Sequence, residues 1–333
     1  MKTVVNTRSQ FKPISSAILV FLLLIVAGCG GTEEKPEIWS LELSVDYGFM
    51  PRWNSEGTRL VFGDSRAGNS RLCVMNGEGA VEEIGSEIVA HNWDYCWSPN
   101  GERIALSSPA APDDSTGGVW VIELASGMAR RVVDRGRDVC WGDSGNAIYF
   151  EIENPVGGVP GIYALSLTDS IPRLIAERGV KPAARPFSNQ VAYADGSIDG
   201  RIWLASEESA PIRVSERGAI QWKWSGDGTQ LFAVLNDYAT GIVRGHLWRY
   251  QGVDLIQSDS LASSVSSVTV NRNGSLIVFT RSSGATWLGI WITRNGDEVK
   301  ISPVGENPEL HPATEKIAYN LPGGGIRILT RTQ

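Results

Sequence analysis

The chain has 333 residues, of which 42% are hydrophobic and 20% are charged, as in globular proteins with enough apolar material for a core. Asp and Glu (37) outnumber Lys and Arg (30), the net charge is −7, and basic residues form no cluster, which argues against nucleic-acid binding. The 37 glycines and 12 tryptophans favour many tight turns and packed aromatic positions, so we expect an all-β protein.

The N-terminal residues carry a processing signal. Lys2, Arg8 and Lys12 precede an apolar stretch over 14–26, which ends in Val26-Ala27-Gly28-Cys29. This string resembles the lipobox of bacterial lipoproteins, and the resemblance implies cleavage after residue 28 and a diacylglycerol on the sulfur of Cys29. A plain signal peptide and an uncleaved anchor are the alternatives.

Three segments follow from this interpretation. Residues 1–28 are a signal peptide, residues 29–37 are the lipidated cysteine and a short polar tether, and residues 38–333 are a single domain. The resemblance places the protein on the extracytoplasmic side of the cell envelope. Gly30 stands where an aspartate often retains such lipoproteins in the inner membrane, which favours the outer membrane in an organism that has one.

An internal repeat occupies the rest of the chain. A similar passage begins seven times, at intervals of 39 to 46 residues, at Trp53, Trp97, Trp141, Arg185, Trp224, Val270 and Leu310. After each reference position come a turn, glycine-containing in five units, and then a β-prone run such as RIAL (103–106). A third element such as GVWVIEL (118–124) and a weaker fourth such as ARRVV (129–133) complete the unit. Four short strands repeated seven times predict a seven-bladed β-propeller with four-stranded blades.

Two passages carry a resemblance to a known repeat. WSPNGERIAL (97–106) and WSGDGTQLFA (224–233) resemble the WD40-like (PD40) repeats of the TolB propeller, whose relatives include the propellers of prolyl-oligopeptidase-type proteases. The resemblance extends over nearly the whole chain beyond residue 50. It implies a propeller fold and a partner in the cell envelope, but it is weak evidence for a particular function.

The two ends of the repeat array predict how it closes. The segment IWSLELS (38–44) lies too close to Trp53 to be a third strand, and its spacing fits a fourth strand. The C-terminal GIRILTRTQ (325–333) is a third strand with no fourth strand after it. We therefore expect residues 38–45 to complete the last blade and to join the two ends of the chain.

The motifs that could indicate catalysis have structural explanations. Gly-Asp-Ser-Gly at 142–145 lies in register with the turns of the other units, so it is a turn and not the surroundings of a serine nucleophile. His91, His246 and His311 fall in different units and layers, and neither they nor the cysteines have metal-ligand spacing. We expect no metal site and no cofactor.

The cysteines and tryptophans divide by their place in the repeat. Cys96 and Cys140 each precede a reference tryptophan in adjacent units, where a disulfide is conceivable and burial of two small thiols is the better-supported alternative. Tryptophans at the reference positions and on third strands are expected to pack between blades. Trp93 and Trp222 lie outside these registers, near the entry to a first strand, where an exposed aromatic ring could stack on a sugar or anchor a peptide.

Loop lengths indicate which face binds. The first-to-second turns are short, whereas the loops after second strands are long in several units, for example at 107–118, 151–161 and 236–245. Long loops therefore gather on the face where the chain crosses between units, and binding usually resides on such loops. The candidate binding residues at this channel mouth are Arg52, Trp93, Asp94, Arg137, Asp138, Lys181, Trp222 and Lys223.

These patterns favour a lipid-anchored, non-catalytic platform that binds an envelope protein or an extended peptide, with the membrane contacted through the N-terminal lipid and the domain monomeric. One alternative is a propeller enzyme, such as a lyase or glycan-active hydrolase, whose polar residues converge in the channel. The other is a sensor of small ligands. An enzyme predicts acidic and basic side chains within hydrogen-bonding reach inside the channel.

Overall fold

A computed structural model describes residues 38–332, apart from 65, 67–70, 87, 89–93, 109–116, 154, 156–157, 170, 198–199, 237–244 and 284–285. These residues belong to one compact unit, Glu37–Gln333. They form strands, turns and bends, and no helix occurs among them, so the predicted all-β class is confirmed. In this described part of the chain, no helix is long and apolar enough to cross a membrane.

The strands pair in chain order into antiparallel sheets. Three sheets contain four consecutive strands each. The first consists of β2 to β5, at Phe49–Trp53, Arg59–Asp64, Arg71–Asn76 and Val81–Ile84. The second consists of β6 to β9, at Asp94–Trp97, Arg103–Ser108, Gly118–Glu123 and Met128–Val133. The third consists of β10 to β13, at Arg137–Trp141, Ala147–Ile152, Gly161–Ser166 and Arg173–Glu177.

A larger sheet of ten strands follows. It consists of β14 to β23, at Gly179–Ala184, Val191–Asp195, Arg201–Ser206, Ser209–Trp224, Gln230–Asn236, Gly245–Gln251, Gln257–Val270, Ile277–Ser283, Thr286–Arg294 and Asp297–Ser302. Two of its strands, β17 and β20, are long and continuous. The first half of β17 pairs with β16 and its second half pairs with β18, and β20 links β19 to β21 in the same way.

The last sheet joins the two ends of the described chain. Its order is β1, β26, β25, β24, in which β24 is Glu306–Leu310, β25 is Lys316–Asn320, β26 is Ile326–Thr332 and β1 is Ile38–Val45. Ile38 lies opposite Thr332 and Val45 lies opposite Ile326. The prediction that residues 38–45 pair with the C-terminal strand is therefore confirmed.

The second strand of each group is the most deeply buried. Phe62, Phe150 and Phe279, each nine residues after a reference position, are all 0% exposed. Their sheets pack face to face with neighbours, as in the cluster that unites Phe62 of β3 with Ala318 of β25 and Ile328 of β26. Burial of such an aromatic ring contributes roughly 2–3 kcal/mol, so the second strands supply much of the core energy.

The reference tryptophans connect neighbouring groups of strands, as predicted. The indole Nε1–H of Trp97 donates to the carbonyl of Arg52 at 2.9 Å, and that of Trp141 donates to the carbonyl of Cys96 at 3.1 Å. Trp224 repeats the contact with the carbonyl of Ala183 at 3.0 Å. Each indole ring fills the gap between two sheets, and its N–H is hydrogen-bonded to the neighbouring sheet. The ring therefore fixes the distance between the two sheets.

The structure corrects the fourth reference position by one residue. Trp141 pairs with Ile148 and Trp224 with Leu231, and the equivalent partner of Val191 is Ala184, not Arg185. Arg185 begins the following turn. Because neither residue is aromatic and the turn there lacks glycine, the sequence offered no marker to set the register.

Candidate functional site

A common backbone irregularity shapes one end of the first strands. The register with the second strand shifts between Phe49 and Arg52, and again between Arg137 and Cys140. Inside these bulges Met50 and Asp138 adopt positive φ angles of 51° and 52°. Lys181, in the equivalent bulge of β14, has a φ of 53°. A bulge turns side chains away from the ladder, and left-handed backbone is costly for residues such as Met and Lys.

These bulged segments surround a cavity of about 760 Å³. It opens where first strands begin and second strands end, since Ser107 at the end of β7 lies opposite Asp94 at the start of β6. The loop predicted over 107–118 leaves the second strand at this end, and its residues 109–116 lie outside the described residues. The lining residues come from β2, β6, β7, β10, β14 and β17, and they are Phe49, Met50, Asp94, Ser107, Arg137, Asp138, Lys181, Pro182, Ala183, Ile220, Gln221 and Trp222.

Two carboxyl groups from adjacent first strands, Asp94 and Asp138, line this cavity and interact electrostatically. Burial and, to a smaller extent, the negative charge of Asp138 raise the pKa of Asp94 to about 6, against the opposing effect of Arg52. A carboxyl group that titrates near neutrality inside a cleft is a recognised mark of a functional site. Asp94 therefore changes its protonation state within the cavity as the pH passes about 6.

Arg137 lies at the edge of the same pair and is already engaged. Its Nε and Nη2 donate to Oε1 of Glu151 at 2.9 and 2.5 Å, and its Nη1 lies 3.2 Å from Glu153. Glu151 is only 2% exposed. Burial raises the pKa of Glu151, Arg137 lowers it, and the adjacent carboxyl group of Asp138 raises it.

A second set of charged residues lies one or two positions further along the first strands than Asp94 and Asp138. Lys223 Nζ lies 3.0 Å from Oε1 of Glu309, and Arg52 Nη1 lies 3.6 Å from Oε2 of the same carboxylate. The three residues belong to β17, β24 and β2, so the network ties together strands from distant parts of the sequence. It also binds Arg52 and Lys223, which the sequence analysis predicted to be at the channel mouth, to one shared carboxylate.

The structure brings together most of the predicted site residues, in two different settings. Asp94, Arg137, Asp138 and Lys181 line the cavity, whereas Arg52 and Lys223 form the ionic network with Glu309. Whether these residues bind a ligand remains a prediction.

The predicted aromatic anchors have different outcomes. Trp222 lines the cavity but is only 8% exposed, because its ring packs in the cluster with Trp224 and Leu235. It is therefore a wall of the cavity and not the exposed stacking ring that its irregular register suggested. Trp93 and the lipidation residue Cys29 lie outside the described residues.

The described thiols are free. Cys96 Sγ lies 3.3 Å from the carbonyl oxygen of Val139, which precedes Cys140, and neither cysteine is in a disulfide. Burial raises the pKa of Cys140 to about 12, so this thiol is unreactive near neutral pH. Among the described residues, no group of three or more His, Cys, Asp and Glu is arranged to hold a metal ion.

The Gly-Asp-Ser-Gly motif and His311 are both parts of turns. The backbone N–H of Gly145 donates to the carbonyl of Gly142, which closes the turn after β10. His311 Nε2 lies 2.9 Å from the carbonyl oxygen of Gly57, while its Nδ1 accepts from the backbone N–H groups of Ala313 and Thr314. This tautomer makes His311 a structural link between the last and first sheets.

Sequence reasoning missed Glu309 and Glu151, for which signals existed. Glu309 precedes the reference Leu310 just as Arg52 precedes Trp53, so the repeat register places both in the channel. Glu151 ends the second strand opposite Arg137. The positive φ angles at Met50 and Lys181 had no such signal, because the residue types do not favour that conformation.

Comparison with solved structures identifies the architecture. An oligogalacturonate lyase from Vibrio parahaemolyticus aligns with a TM-score of 0.66 at 11% identity, covering 89% of this chain and 91% of that one. The Cps50 (Swd1) β-propeller domain of Myceliophteria thermophila aligns with a TM-score of 0.64 at 12% identity, over 89% of this chain and all of that one. TolB from Acinetobacter baumannii aligns with a TM-score of 0.51 at 12% identity, over 65% of this chain and 54% of that one.

The fold is a TolB-like β-propeller. The identities are too low to show more than the fold, and the similar structures include TolB as well as an oligogalacturonate lyase. No protein-family model matches the chain, and no curated protein sequence matches it. The cavity of this propeller is therefore the main guide to its function.

Proposed function

We propose that this protein is a non-catalytic binding platform that receives a protein or peptide segment in the central cavity. The supporting observation is the cavity itself, which is about 760 Å³ and is lined by charged and apolar side chains from successive first strands. Such a mixture of apolar walls and a few convergent polar groups is what binding sites commonly present.

The proposal includes a closed ring of seven blades. Support comes from the contacts between first strands, which run from β2 to β6, β10, β14, β17, β20 and β24 and return to β2. Each of these strands, counting β17 and β20 by their second halves, begins a four-stranded antiparallel group. A closed ring holds the cavity walls rigidly, which lowers the entropic cost of recognition.

The proposal also includes attachment to the cell envelope. Lipidation of Cys29 after removal of residues 1–28 would leave residues 29–37 as a tether for a monomeric domain over 38–333, on the extracytoplasmic side. The support is the Val-Ala-Gly-Cys string and the basic and apolar residues before it. A Cys29→Ser variant, compared with the native chain by mass spectrometry and membrane fractionation, tests this part separately.

Narrowing the cavity tests the binding function. Ala183 lines it, so Ala183→Phe should reduce crosslinked capture of partners from the native envelope at least tenfold. Ala125→Phe makes the same change in an exposed turn between β8 and β9, away from the cavity, and should leave capture unchanged. Equal capture by the native chain and both variants would rule out the cavity as the recognition site.

One observation favours a second candidate, a propeller enzyme of the lyase or glycan-active class. Asp94, with its pKa raised to about 6, could act as a general base or acid beside Asp138. An assay of oligogalacturonate cleavage, read by the absorbance of the unsaturated product, tests it. Turnover that is present in the native chain and lost in Asp94→Asn would establish the enzyme; no turnover with this substrate would remove the lyase version.

A further inference from the structure

The charges around the cavity do not balance within the protein. Arg137 is paired with Glu151 and Glu153, so its single positive charge is shared between these two carboxylates and the nearby Asp138. Arg52 and Lys223, which also act on Asp94, are both bound to Glu309. Asp94 and Asp138 line the cavity together, and Lys181 is a further cation among the described lining residues.

A buried atom beside this pair points to the same deficit of positive charge. Glu151 is 2% exposed, and its Oε2 is buried with no hydrogen-bond donor, while its carboxyl group faces that of Asp138. A buried carboxylate oxygen without a donor is costly, and a cation close to Asp138 would offset that cost through the low-dielectric interior. Glu151 and Asp138 thus share the guanidinium of Arg137.

The residues that line the cavity indicate which kind of cation fits it. A divalent metal needs several oxygen ligands in its first shell, and no suitable group of three ligating residues occurs among the described residues. The cavity also has apolar walls, from Phe49, Met50, Ile220 and Trp222. A cavity that combines apolar walls with two carboxyl groups fits a side chain that has a hydrocarbon stem and a charged tip.

We propose that the Asp94–Asp138 pair receives the cationic tip of a lysine or arginine side chain of a bound protein or peptide, whose stem packs on Phe49, Met50 and Trp222. This assignment rests on the proposed binding function and names the chemistry of its ligand. The cationic tip would replace the repulsion between the two carboxylates with two charge-assisted hydrogen bonds.

Blocked pentapeptides test this assignment directly. The probes are Ala-Ala-Xaa-Ala-Ala with acetyl and amide ends, in which Xaa is lysine, arginine, norleucine or glutamate, titrated calorimetrically into the full-length chain in detergent. The lysine or arginine peptide should bind at least tenfold more tightly than the norleucine peptide, which keeps the stem without the charge. The glutamate peptide should bind most weakly.

Variants locate the binding. Asp94→Asn keeps the shape of the site and should reduce affinity for the cationic peptide at least tenfold, as should Asp138→Asn. Asp143→Asn changes an exposed carboxylate in the turn after β10 and should have no effect. Equal affinity for the lysine, arginine and norleucine peptides, or full affinity in Asp94→Asn, would overturn the assignment.

The outcomes separate this inference from the proposed function. If Ala183→Phe abolishes partner capture while Asp94→Asn and Asp138→Asn retain it, the cavity binds its partner through other groups and the cation assignment is wrong. If Ala183→Phe has no effect on capture, the proposed binding function itself is wrong.

Discussion

Asp94 shows at the residue scale that a cavity residue can lower the stability of the folded state. Its carboxyl group interacts with Asp138, Arg52 and Lys223 of other first strands, and the balance of burial and charge raises its pKa from 3.8 to about 6. The folded state therefore binds this proton more tightly than the unfolded chain does. Stability is lost as the pH rises from about 3.8 to about 6, and the penalty is fully present above pH 6.

Replacing Asp94 with asparagine should remove this penalty. We expect Asp94→Asn to be more stable than the native chain by about 3 kcal/mol at neutral pH, with the difference vanishing below pH 4. Denaturant unfolding at a series of pH values measures it, with Asp143→Asn as the exposed control. A variant that is less stable than the native chain at neutral pH would show that the Asp94 carboxylate is already compensated.

Gly57 shows a close approach that excludes every side chain. A Cβ at this position would lie 2.0 Å from Nε2 of His311, whereas a Cβ at Gly127 would meet nothing within 4 Å. Both glycines have similar positive φ angles, 73° and 68°, so an alanine would cause similar backbone strain at either position. The difference between the two alanine variants therefore measures the contact between the last and first sheets.

Gly127→Ala should cost about 1 kcal/mol of unfolding free energy, from left-handed backbone strain. Gly57→Ala should cost about 1–3 kcal/mol more, because His311 must leave its bond to the Gly57 carbonyl. Thermal or denaturant unfolding compares the two. Equal losses would mean that the His311 contact contributes little to closure.

At the residue scale the sequence was informative where side-chain type sets the role. The reference tryptophans, the turn glycines and the charged residues of the first strands were found from the repeat. Trp222 was misjudged because burial depends on Trp224 and Leu235, which approach it only in the folded sheets. Glu151 was overlooked because its partner Arg137 is 14 residues away along the chain.

The turn between β14 and β15 shows at the element scale how one unit departs from the others. Elsewhere a glycine four residues after the reference position usually supplies the positive φ of this turn, but here the positive φ is at Phe187, three residues after Ala184, with a φ of 56° and an exposed fraction of 68%. Because its ring is largely in solvent, little packing offsets the strain. The same lack of glycine explains why the register of this unit was read one residue late.

Phe187→Gly should therefore stabilise the protein by about 0.5 kcal/mol. Glycine relieves the strain of the positive φ, and the greater conformational entropy of glycine in the unfolded chain offsets part of that gain. Phe187→Ala retains a Cβ and should give no gain, which makes it the matched control. Chemical denaturation resolves the difference. A loss of stability in Phe187→Gly would indicate that the exposed ring makes contacts that stabilise the fold.

Closure of the last sheet decides stability at the scale of the whole molecule. Strand β1 pairs along its length with β26, and Lys316 Nζ binds Glu42 at 2.5 Å. Leu43 and Val45 of β1 pack on the cluster that contains Phe62. This closure was predictable because the spacing of 38–45 fitted only one place in the repeat.

Removing β1 should thus destabilise the entire domain. A chain that begins at Asp46 exposes the edge of β26 and the apolar residues under Leu43, at a cost of several kcal/mol, of order 25 cal/mol for each Å² of apolar surface exposed. A chain that begins at Glu37 keeps β1 and is the control. Calorimetric unfolding should show a melting temperature lower by about 10 °C or more in the shorter chain. Similar melting temperatures would show that closure is not required.

The central claim is that recognition occurs in the cavity, and photo-crosslinking tests it most directly. A photoreactive phenylalanine analogue replaces Phe49, which lines the cavity, or Phe187, which is exposed beyond the end of β14. The account predicts that the label at Phe49 crosslinks to a partner in the native envelope and the label at Phe187 does not, with the Phe49 crosslink lost in Asp138→Asn. Crosslinks from Phe187 alone, or from both positions equally, would contradict it.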